Sequence, residues 1–590
     1  MNYRNAALPI ADRVADLLLK MTLEEKAGQM MQNSVGAGMD GELVENADGF
    51  SALGIRDRVV TSNITHMNVH ALPEPRLAAR WANRMQELAA STRLGIPLTI
   101  SSDPRHAFSE NVGVSFAAGY FSRWPEHLGL ASVRDPELVR EYANVVRQEY
   151  RAVGIASSLH PTIDLATSPR WARQLGTFGQ DAALTSELVT AYLAGIQGAE
   201  MGPSSVAAMT KHFPGGGPQR GGEDPHFPYG REQDYPGGAF ETHLEPFRAA
   251  IAAGTSALMP YYGMPVGLVR NGEAIEEVGF GFNRQVLTGI LREELGFTGV
   301  ICTDWGLVSD TLVPAGVFGD HELRLPARAW GVEQLDALAR VEKILDAGAD
   351  QFGGEDIPEL IVELVRSGRV DESRIDASVA RLLTVKFQLG LFENPFVDED
   401  AASELVGNDD FVALGEAAQR RAITVLSGEV TAPTRVFLEG LSAASVPSLT
   451  VVDDPADADL AIVRLAAPFD PRDEFLLESM FHAGSLTLPA DQVARVAEIA
   501  AAAPTLVDVF LDRPAILAPL VDLGVALTAS FGSSDAALLD VVLGHATAEG
   551  TLPFDIPSSE EAVDAARVDV AGDTAEPTFR AGFGVKRLAV

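Results

Sequence analysis

Short apolar runs alternate along the chain with longer stretches in which apolar residues recur every three or four positions. The short runs are bounded by Gly, Pro or Asp, and this pattern predicts buried parallel strands. They lie at 97–103, 154–166, 206–213, 256–262 and 299–305. Between them, segments such as DAALTSELVTAYLAGIQGAE have the period of amphipathic helices. Thr22 and Glu25 form a capping box, which predicts the start of a further helix.

This alternation extends over residues 1–390 and predicts an α/β fold, a (β/α) barrel of the TIM type. A doubly wound sheet would give the same alternation, but its functional residues gather at one switch point. Here polar or aromatic side chains follow many different strands: Asp103, Asp164, Lys211, Tyr262 and Asp304. Barrel active sites are built from the C-terminal ends of several strands, and the barrel is therefore favoured.

A second alternation follows the stretch LFENPFVDEDAASELVGNDD, where the periodicity lapses. We predict a linker over 391–415 and a smaller α/β sandwich domain over 416–590. Runs such as TRVFLEG, ADLAIVRL and TLVDVFL predict the strands of this domain. Two domains also suit the length, because 590 residues exceed what one ordinary core holds.

The chain has 82 acidic and 45 basic residues, a formal charge of −37. Such a surface repels nucleic acid and anionic membranes, and no segment is apolar enough to span a bilayer. We therefore expect neither partner, and the sequence leaves a homo-oligomer open. The single cysteine, Cys302, excludes an internal disulfide and a multi-cysteine zinc site. The N-terminal residues lack a secretion signal, so we expect a cytoplasmic protein. We also expect no metal and no other cofactor.

Three strings carry the candidate chemistry. In TDWG, Asp304 ends a predicted strand, which is where barrel active sites are built. An Asp at such a position is often only a helix cap. Trp305 offers a flat ring of the kind that stacks on sugars. In KHFPGGGPQ, Lys211 and His212 can donate hydrogen bonds to hydroxyl groups. An isolated string of this kind is more often a glycine-rich structural turn. Lys211 and His212 would keep a neighbouring Asp304 charged.

The third string, SPRWARQLGTFGQD, places two arginines, Arg170 and Arg173, around Trp171. Trp171 is expected to pack the loop. One arginine is expected to pair with a nearby acid such as Asp164, and the other to reach a sugar hydroxyl. The spacing alone does not say which arginine has which role.

Together with SSDPRHAF and MPYYG, these strings stand in the order found in glycoside hydrolase family 3, which the chain resembles along nearly its whole length. The resemblance implies a barrel, a linker and an α/β sandwich ending near FRAGFGVKRL, without the fibronectin-like third domain of many relatives. It implies a retaining, exo-acting β-glycosidase with a carbohydrate substrate. Glucose is the expected terminal sugar, and xylose or another pentose stays open.

The resemblance also implies the roles of individual residues. Asp304 matches the nucleophile, and Trp305 matches an aromatic residue beside the terminal sugar. Arg170 matches a structural arginine, because the family places the sugar-facing arginine second. The other matched positions hold that sugar or lie near the nucleophile: Asp103, Arg173, Lys211, His212 and Tyr262.

The proton donor implied by the resemblance is a glutamate of the sandwich domain, shortly before a Leu-Pro or Ile-Pro pair. Glu478 stands eleven residues before Pro489, close to the spacing of the family, and is the preferred candidate. Glu474 is the alternative in the same segment. These acids could instead form a solvated loop face.

Two other functions stay open. One branch of the family, the β-N-acetylhexosaminidases, uses an Asp and His pair on a barrel loop, which Asp224 and His226 resemble loosely. That branch has a second histidine where this chain has Gly216. The other function is a catalytically silent sugar-binding protein. A nucleotide-binding protein is disfavoured because no G-x-G-x-x-G or Walker string opens a helix after a strand.

Overall fold

Two sheets organise the computed structural model, which describes residues 2–46, 51–111, 113–313, 323–430, 432–447 and 449–586. The first sheet has eight parallel strands. In chain order they are β1 (Met31–Val35), β2 (His66–Val69), β3 (Thr99–Ser102), β4 (Ile155–Ser158), β5 (Ala207–Phe213), β6 (Ala257–Pro260), β7 (Val300–Ile301) and β8 (Phe352–Gly353).

Sheet order shows how these strands curl into a barrel. They pair in the order β7-β6-β5-β4-β3-β2-β1-β8, and a parallel bridge between Cys302 and Gln351 joins the two end strands. All strand positions of β1, β2, β3 and β5 are buried, as a parallel sheet covered on both faces requires. The predicted barrel is confirmed, and each of the five predicted runs contains a strand.

Helices surround the barrel. Their bounds are Ile10–Leu18, Leu23–Gln29, Pro75–Ala90, His127–Val133, Pro136–Ala152, Ala182–Ile196, Phe240–Ala252, Gln285–Glu294, Ala337–Ala347, Pro358–Arg366 and Glu372–Gln388. The predicted capping box is present: the side chain of Thr22 accepts from the Glu25 amide, and the Glu25 carboxylate accepts from the Thr22 amide. Within the described ranges no helix has both the length and the apolar character needed to cross a membrane.

The segment 391–415 is partly helical and packs on the barrel. It contains the helix Glu399–Leu405 and the start of the helix Asp409–Ala422. Arg80 pairs with Glu399, and the amide of Gly407 donates to the carboxylate of Glu149 at 2.7 Å. The stretch predicted as a linker therefore contributes to the barrel surface.

The second sheet has six strands in the order β9-β14-β13-β12-β10-β11. They are β9 (Thr424–Ser427), β10 (Arg435–Glu439), β11 (Thr450–Val451), β12 (Leu460–Ala466), β13 (Thr505–Phe510) and β14 (Ala526–Ser530). Only β9 runs antiparallel to its neighbour within the described sheet. Its helices are Ala490–Ala502, Ala518–Asp522, Asp535–Val542 and Glu560–Ala565.

Both faces of this second sheet are buried. Along β13, Val507 and Val509 belong to one apolar cluster, whereas Leu506, directly before Val507, belongs to another. Because successive strand residues point to opposite faces, the two clusters lie on opposite sides of the sheet. The smaller domain is therefore a layered α/β sandwich.

Loops of the sandwich reach over the C-terminal end of the barrel. In the loop 467–489, Arg472 forms an ion pair with Glu223 at 2.5 and 2.9 Å. The side-chain amide of Asn111 donates to the carbonyl of Met480 at 2.8 Å. A short antiparallel pair, Thr311–Val313 with Leu323–Leu325, projects from the barrel toward the same loop, and the amide of Leu476 donates to the carbonyl of Arg324.

Candidate active site

A cavity of about 140 Å³ lies at the C-terminal ends of the barrel strands, under the sandwich loop 467–489. Six of the predicted site residues line it: Asp103, Arg173, Lys211, Tyr262, Asp304 and Trp305. His212 lies directly behind the wall and is fully buried. The structure therefore brings together residues that follow five different strands, as the barrel interpretation requires.

Asp304 follows β7 and is 8% exposed. Its Oδ1 accepts a hydrogen bond from the amide of Trp305 at 2.8 Å. Its Oδ2 is buried and has no hydrogen-bond partner within the described ranges, and Nε2 of His212 lies 3.8 Å from it. One oxygen of the carboxylate is thus anchored, while the other is available to a ligand.

Asp103 and Lys211 form a buried ion pair on the opposite wall. Nζ of Lys211 lies 3.1 Å from Oδ1 of Asp103, and the side-chain amide of Asn68 donates to Oδ2 at 3.1 Å. Because both charges are paired, neither needs a ligand for neutralisation. Together they offer a ligand one strong acceptor and one strong donor.

A chain of hydrogen bonds runs from Asp164 through His212 to Arg173. Oδ2 of Asp164 accepts from the amide of His212 at 3.0 Å and lies 2.9 Å from its Nδ1. Nη2 of Arg173 lies 3.1 Å from Nε2 of His212. Nδ1 therefore carries the ring proton and donates to Asp164, and Nε2 accepts from Arg173.

His212 is consequently neutral, which corrects one expectation. Burial and the charge of Arg173 hold the pKa of His212 well below its usual value, so His212 adds no positive charge beside Asp304. Lys211 is engaged with Asp103, so Arg173 is the predicted cation whose charge acts on Asp304. Nη1 of Arg173 is buried without a partner in the part of the chain that the structure describes.

The two predicted aromatic residues are fixed by backbone and side-chain contacts. The hydroxyl of Tyr262 donates to the carbonyl of Trp305 at 2.8 Å, and the indole N–H of Trp305 donates to the hydroxyl of Ser34 at 3.2 Å. Burial and the charge of Asp304 raise the pKa of Tyr262 well above its usual value. Both rings therefore present fixed faces to the cavity.

Arg170 and Trp171 have structural contacts. Arg170 pairs with Glu560 and Asp564 of the sandwich domain, and Trp171 is fully buried. Asp164 pairs with neither arginine through a hydrogen bond, and instead orients His212. The second arginine of the string, Arg173, is the one that reaches the cavity.

Glu478 is buried in the sandwich loop, but it is not among the cavity-lining residues. Its Oε1 accepts from the hydroxyl of Tyr229 at 2.6 Å. Its Oε2 accepts from the amides of Glu474 and Phe475 at 2.6 and 3.1 Å. The loop residues that reach the cavity wall are Leu476 and Leu477, and the role of Glu478 stays a prediction.

The pair of Asp224 and His226 is formed. Oδ1 of Asp224 lies 2.6 Å from Nδ1 of His226 and accepts from its amide at 2.8 Å. Although Asp224 is buried, His226 and Arg173 lower its pKa below the usual value, so Asp224 is ionised. His226 lines the cavity, and its Nε2 is the nitrogen left for a ligand.

Other lining residues were missed from the sequence, among them Asn68, Arg328 and Leu477. Asn68 lies in β2 at the same barrel end as Asp103, so the rule that identified Asp103 also applies to it. Arg328 and Leu477 come from loops without a sequence signal. The described residues contain no group of three or more His, Cys, Asp or Glu placed to hold a metal ion.

Comparisons with known proteins agree with this geometry. The profile of the glycosyl hydrolase family 3 N terminal domain matches residues 22–385. The chain is 50% identical over 596 residues to β-glucosidase C of Emericella nidulans, covering 99% of this chain and 93% of that protein. It is 41% identical over 603 residues to a periplasmic β-glucosidase/β-xylosidase of Dickeya chrysanthemi, covering 99% and 91%.

A solved structure shares the fold. The structure of a β-glucosidase from Erythrobacter marinus aligns with a TM-score of 0.78 at 21% sequence identity. The alignment covers 99% of this chain and 84% of that one. Both the barrel and the sandwich are therefore present in a known arrangement.

Proposed function

Because the chain belongs to glycosyl hydrolase family 3 and is a glycoside hydrolase, we propose that it is a retaining, exo-acting β-glucosidase. It would release terminal glucose from short β-glucosides or oligosaccharides. The names of the relatives from Emericella and Dickeya support the substrate class. The observation that carries the mechanism is the asymmetric carboxylate of Asp304.

Asp304 is built for attack on a sugar carbon. The hydrogen bond from the Trp305 amide fixes Oδ1, while the unpartnered Oδ2 belongs to a residue on the cavity wall. A retaining glycosidase needs one ionised carboxylate that forms a covalent glycosyl intermediate. Arg173 lies close enough to stabilise the negative charge of Asp304 before attack.

The rest of the cavity suits one terminal sugar. The carboxylate of Asp103 can accept from sugar hydroxyls, and Lys211 and Nη1 of Arg173 can donate to them. Apolar contact comes from Trp305 and from Leu477. A small pocket of this kind admits the end of a chain, which favours exo cleavage.

The second carboxyl function is assigned to Glu478. Retaining enzymes hold the two carboxyl groups about 5–5.5 Å apart, so the side chain of Glu478 must turn from Tyr229 toward the cavity when substrate binds. It would protonate the leaving oxygen and then activate the water that hydrolyses the intermediate. The docking of the two domains would then set the catalytic distance.

A second candidate for proton transfer is His226, because it lines the cavity and is oriented by an ionised Asp224. This arrangement favours the alternative of a β-N-acetylhexosaminidase. Against that alternative, a Cβ added at Gly216 would lie 2.8 Å from the Tyr261 ring and 2.9 Å from the Trp171 ring. No histidine fits there, so glucose without an acetamido group remains our proposed substrate.

The test is hydrolysis of aryl β-glucoside by wild type and by Asp304→Ala, Glu478→Ala and His226→Ala. Asp304→Ala is expected to abolish turnover, about 10⁴-fold or more. Azide should restore activity in Glu478→Ala with a β-glucosyl azide product, since it replaces water on the covalent intermediate. Glu474→Ala tests the alternative proton donor, and because Glu474 is exposed we expect this variant to keep wild-type activity.

Other outcomes would redirect the assignment. Azide rescue of His226→Ala alone, with preference for the N-acetylated aryl glycoside, would support the hexosaminidase. Sugar binding without turnover of any activated glycoside would support the silent sugar-binding protein. Comparison of kcat/KM for aryl glucoside and aryl xyloside decides between glucose and the pentose.

The cytoplasmic location stays a proposal, which rests on the single cysteine. The Dickeya relative is named as periplasmic. Activity measured in separated periplasmic and cytoplasmic fractions of the source cells tests this proposal.

A further inference from the structure

A second cavity, of about 390 Å³, lies between the barrel and the sandwich. Arg173 lines both this cavity and the one that contains Asp304, so the two cavities are neighbours. The volume falls in the range of ~300–1,000 Å³ that small-molecule sites occupy. None of the proposed steps of hydrolysis uses this cavity.

The barrel side of the second cavity contains an unused hydrogen-bond acceptor, His127. Its Nδ1 lies 2.8 Å from the carbonyl of Gly176 and therefore carries the proton. Its Nε2 is buried without a partner in the described part of the chain, and the residue is only 5% exposed. Burial lowers the pKa of His127 to about 4, so the ring is neutral near pH 7 and Nε2 accepts.

The sandwich side contains a second unused acceptor, Asp512. Its Oδ1 is buried and has no partner among the described residues, while Oδ2 contacts Nδ1 of His482. The ring of His482 stacks on Phe469 with centroids 3.8 Å apart and an interplanar angle of 7°. This stack fixes the position of the Asp512 carboxylate.

The remaining lining combines carboxylates with apolar rings. Glu126 lies on the barrel side, and burial together with the charge of Asp512 raises its pKa. Phe116, Tyr142 and Phe510 add ring surfaces. Three acidic side chains, Glu110, Glu126 and Asp512, with a single arginine disfavour an anionic ligand. Several acceptors beside flat rings suit instead a neutral molecule that has many hydroxyl groups.

We propose that this interdomain cavity is a second binding site for a neutral monosaccharide. Hydroxyl groups of the sugar would donate to Nε2 of His127 and to Oδ1 of Asp512, one from each domain. The choice of glucose as the occupant rests on the proposed function, because hydrolysis releases glucose in the neighbouring cavity. The bound sugar would contact Arg173 and hold the two domains together, and so would change turnover without occupying the catalytic cavity.

The experiment counts bound sugar by equilibrium dialysis with labelled glucose and with labelled xylose, on the full chain. Wild type is expected to bind two molecules per chain. Lys211→Met removes a donor from the catalytic cavity and should leave one. Adding Asp512→Asn to Lys211→Met should weaken the remaining site about tenfold or more, since it removes an ionised acceptor. Asp522→Asn, an exposed carboxylate of the same domain, is the matched control and should change nothing.

A second variant guards against misfolding. Ser479 is an exposed residue that lines the cavity, so Ser479→Trp should block the site without disturbing a packed core. One bound sugar in wild type and none in Lys211→Met would overturn the proposal, as would two bound sugars in both Asp512→Asn and Ser479→Trp. Dialysis requires no turnover, so the two proposals can fail separately. A wild type that does not hydrolyse glucosides would contradict the glucosidase assignment, while one sugar bound to Lys211→Met would still support the second site.

Discussion

The hydroxyl of Tyr229 donates a hydrogen bond to the carboxylate of Glu478 across the boundary between the two domains, with a distance of 2.6 Å. The guanidinium of Arg472 lies 5.1 Å above the Tyr229 ring and pairs with Glu223. A barrel loop and a sandwich loop are thereby tied together beside the candidate proton donor. In the structure this contact holds Glu478 away from the cavity wall.

The first prediction concerns this contact. Tyr229→Phe removes the donor and keeps the ring that stacks with Phe227. We expect kcat/KM for an aryl glucoside with a poor leaving group to rise about tenfold, because the substitution removes a hydrogen bond to a charged group, which contributes ~1.5–3 kcal/mol to the position of Glu478 away from the cavity. A glucoside with a very good leaving group should be affected much less, since its departure needs little protonation.

Tyr120→Phe is the matched control, because Tyr120 is an exposed tyrosine of the barrel. It should leave both substrates unchanged. An equal loss for poor and good leaving groups in Tyr229→Phe would mean that Tyr229 only supports the loop. A direct comparison of the two substrates therefore separates a positioning role from a structural one.

The second prediction contrasts two arginines of one string. Arg170→Ala removes contacts with Glu560 and Asp564 between the domains. Such partly exposed pairs contribute ~0–1 kcal/mol each, so we expect Tm to fall by ~1–3 °C and kcat/KM to stay within twofold. Arg173→Ala should lower kcat/KM about 100-fold with a similar Tm, because it removes a buried donor from the cavity. Loss of activity in Arg170→Ala at unchanged Tm would contradict this division.

The sequence could locate the strand-end residues because local rules determine their positions. Asp103 and Asp304 each follow a buried apolar run, and a barrel places all such ends on one face. The same rule would have given Asn68. The contact between Arg170 and Asp564 joins residues 394 positions apart, and only the docking of the domains decides it. The contact between Tyr229 and Glu478 has the same origin, so no local pattern predicts it.

The third prediction concerns pH and stability. Burial raises the pKa of Asp164 from its usual 3.8 to about 6, so the folded protein holds the proton more tightly than the unfolded chain. The stabilisation from this group is fully present below pH ~4 and is lost as the pH rises through ~6. Relative to Asp164→Asn, which cannot titrate, the free energy of unfolding of wild type should decline by up to ~3 kcal/mol between pH 4 and 7.

Urea unfolding at half-unit pH steps measures this difference. The exposed Asp522→Asn is the control for a general effect of charge and should give a flat difference from wild type across the same range. A difference between wild type and Asp164→Asn that rises with pH would show that Asp164 is more acidic when folded. In that case the hydrogen bonds from His212 and Gly216, and not burial, would dominate.

The last prediction concerns Gly216, whose amide donates to Asp164. A Cβ at this position would meet the rings of Tyr261 and Trp171 below 3.0 Å, and would lie 3.0 Å from Oδ1 of Asp164. Gly216→Ala should therefore destabilise the fold by ~1–3 kcal/mol, the usual cost of overpacking. It should also lower kcat/KM at least tenfold, since Asp164 orients His212.

Gly202→Ala is the matched control, because no atom lies within 4 Å of its added Cβ, and it should leave stability and activity unchanged. Wild-type activity in Gly216→Ala would show that this wall of the cavity yields, and would reopen the N-acetylhexosaminidase assignment.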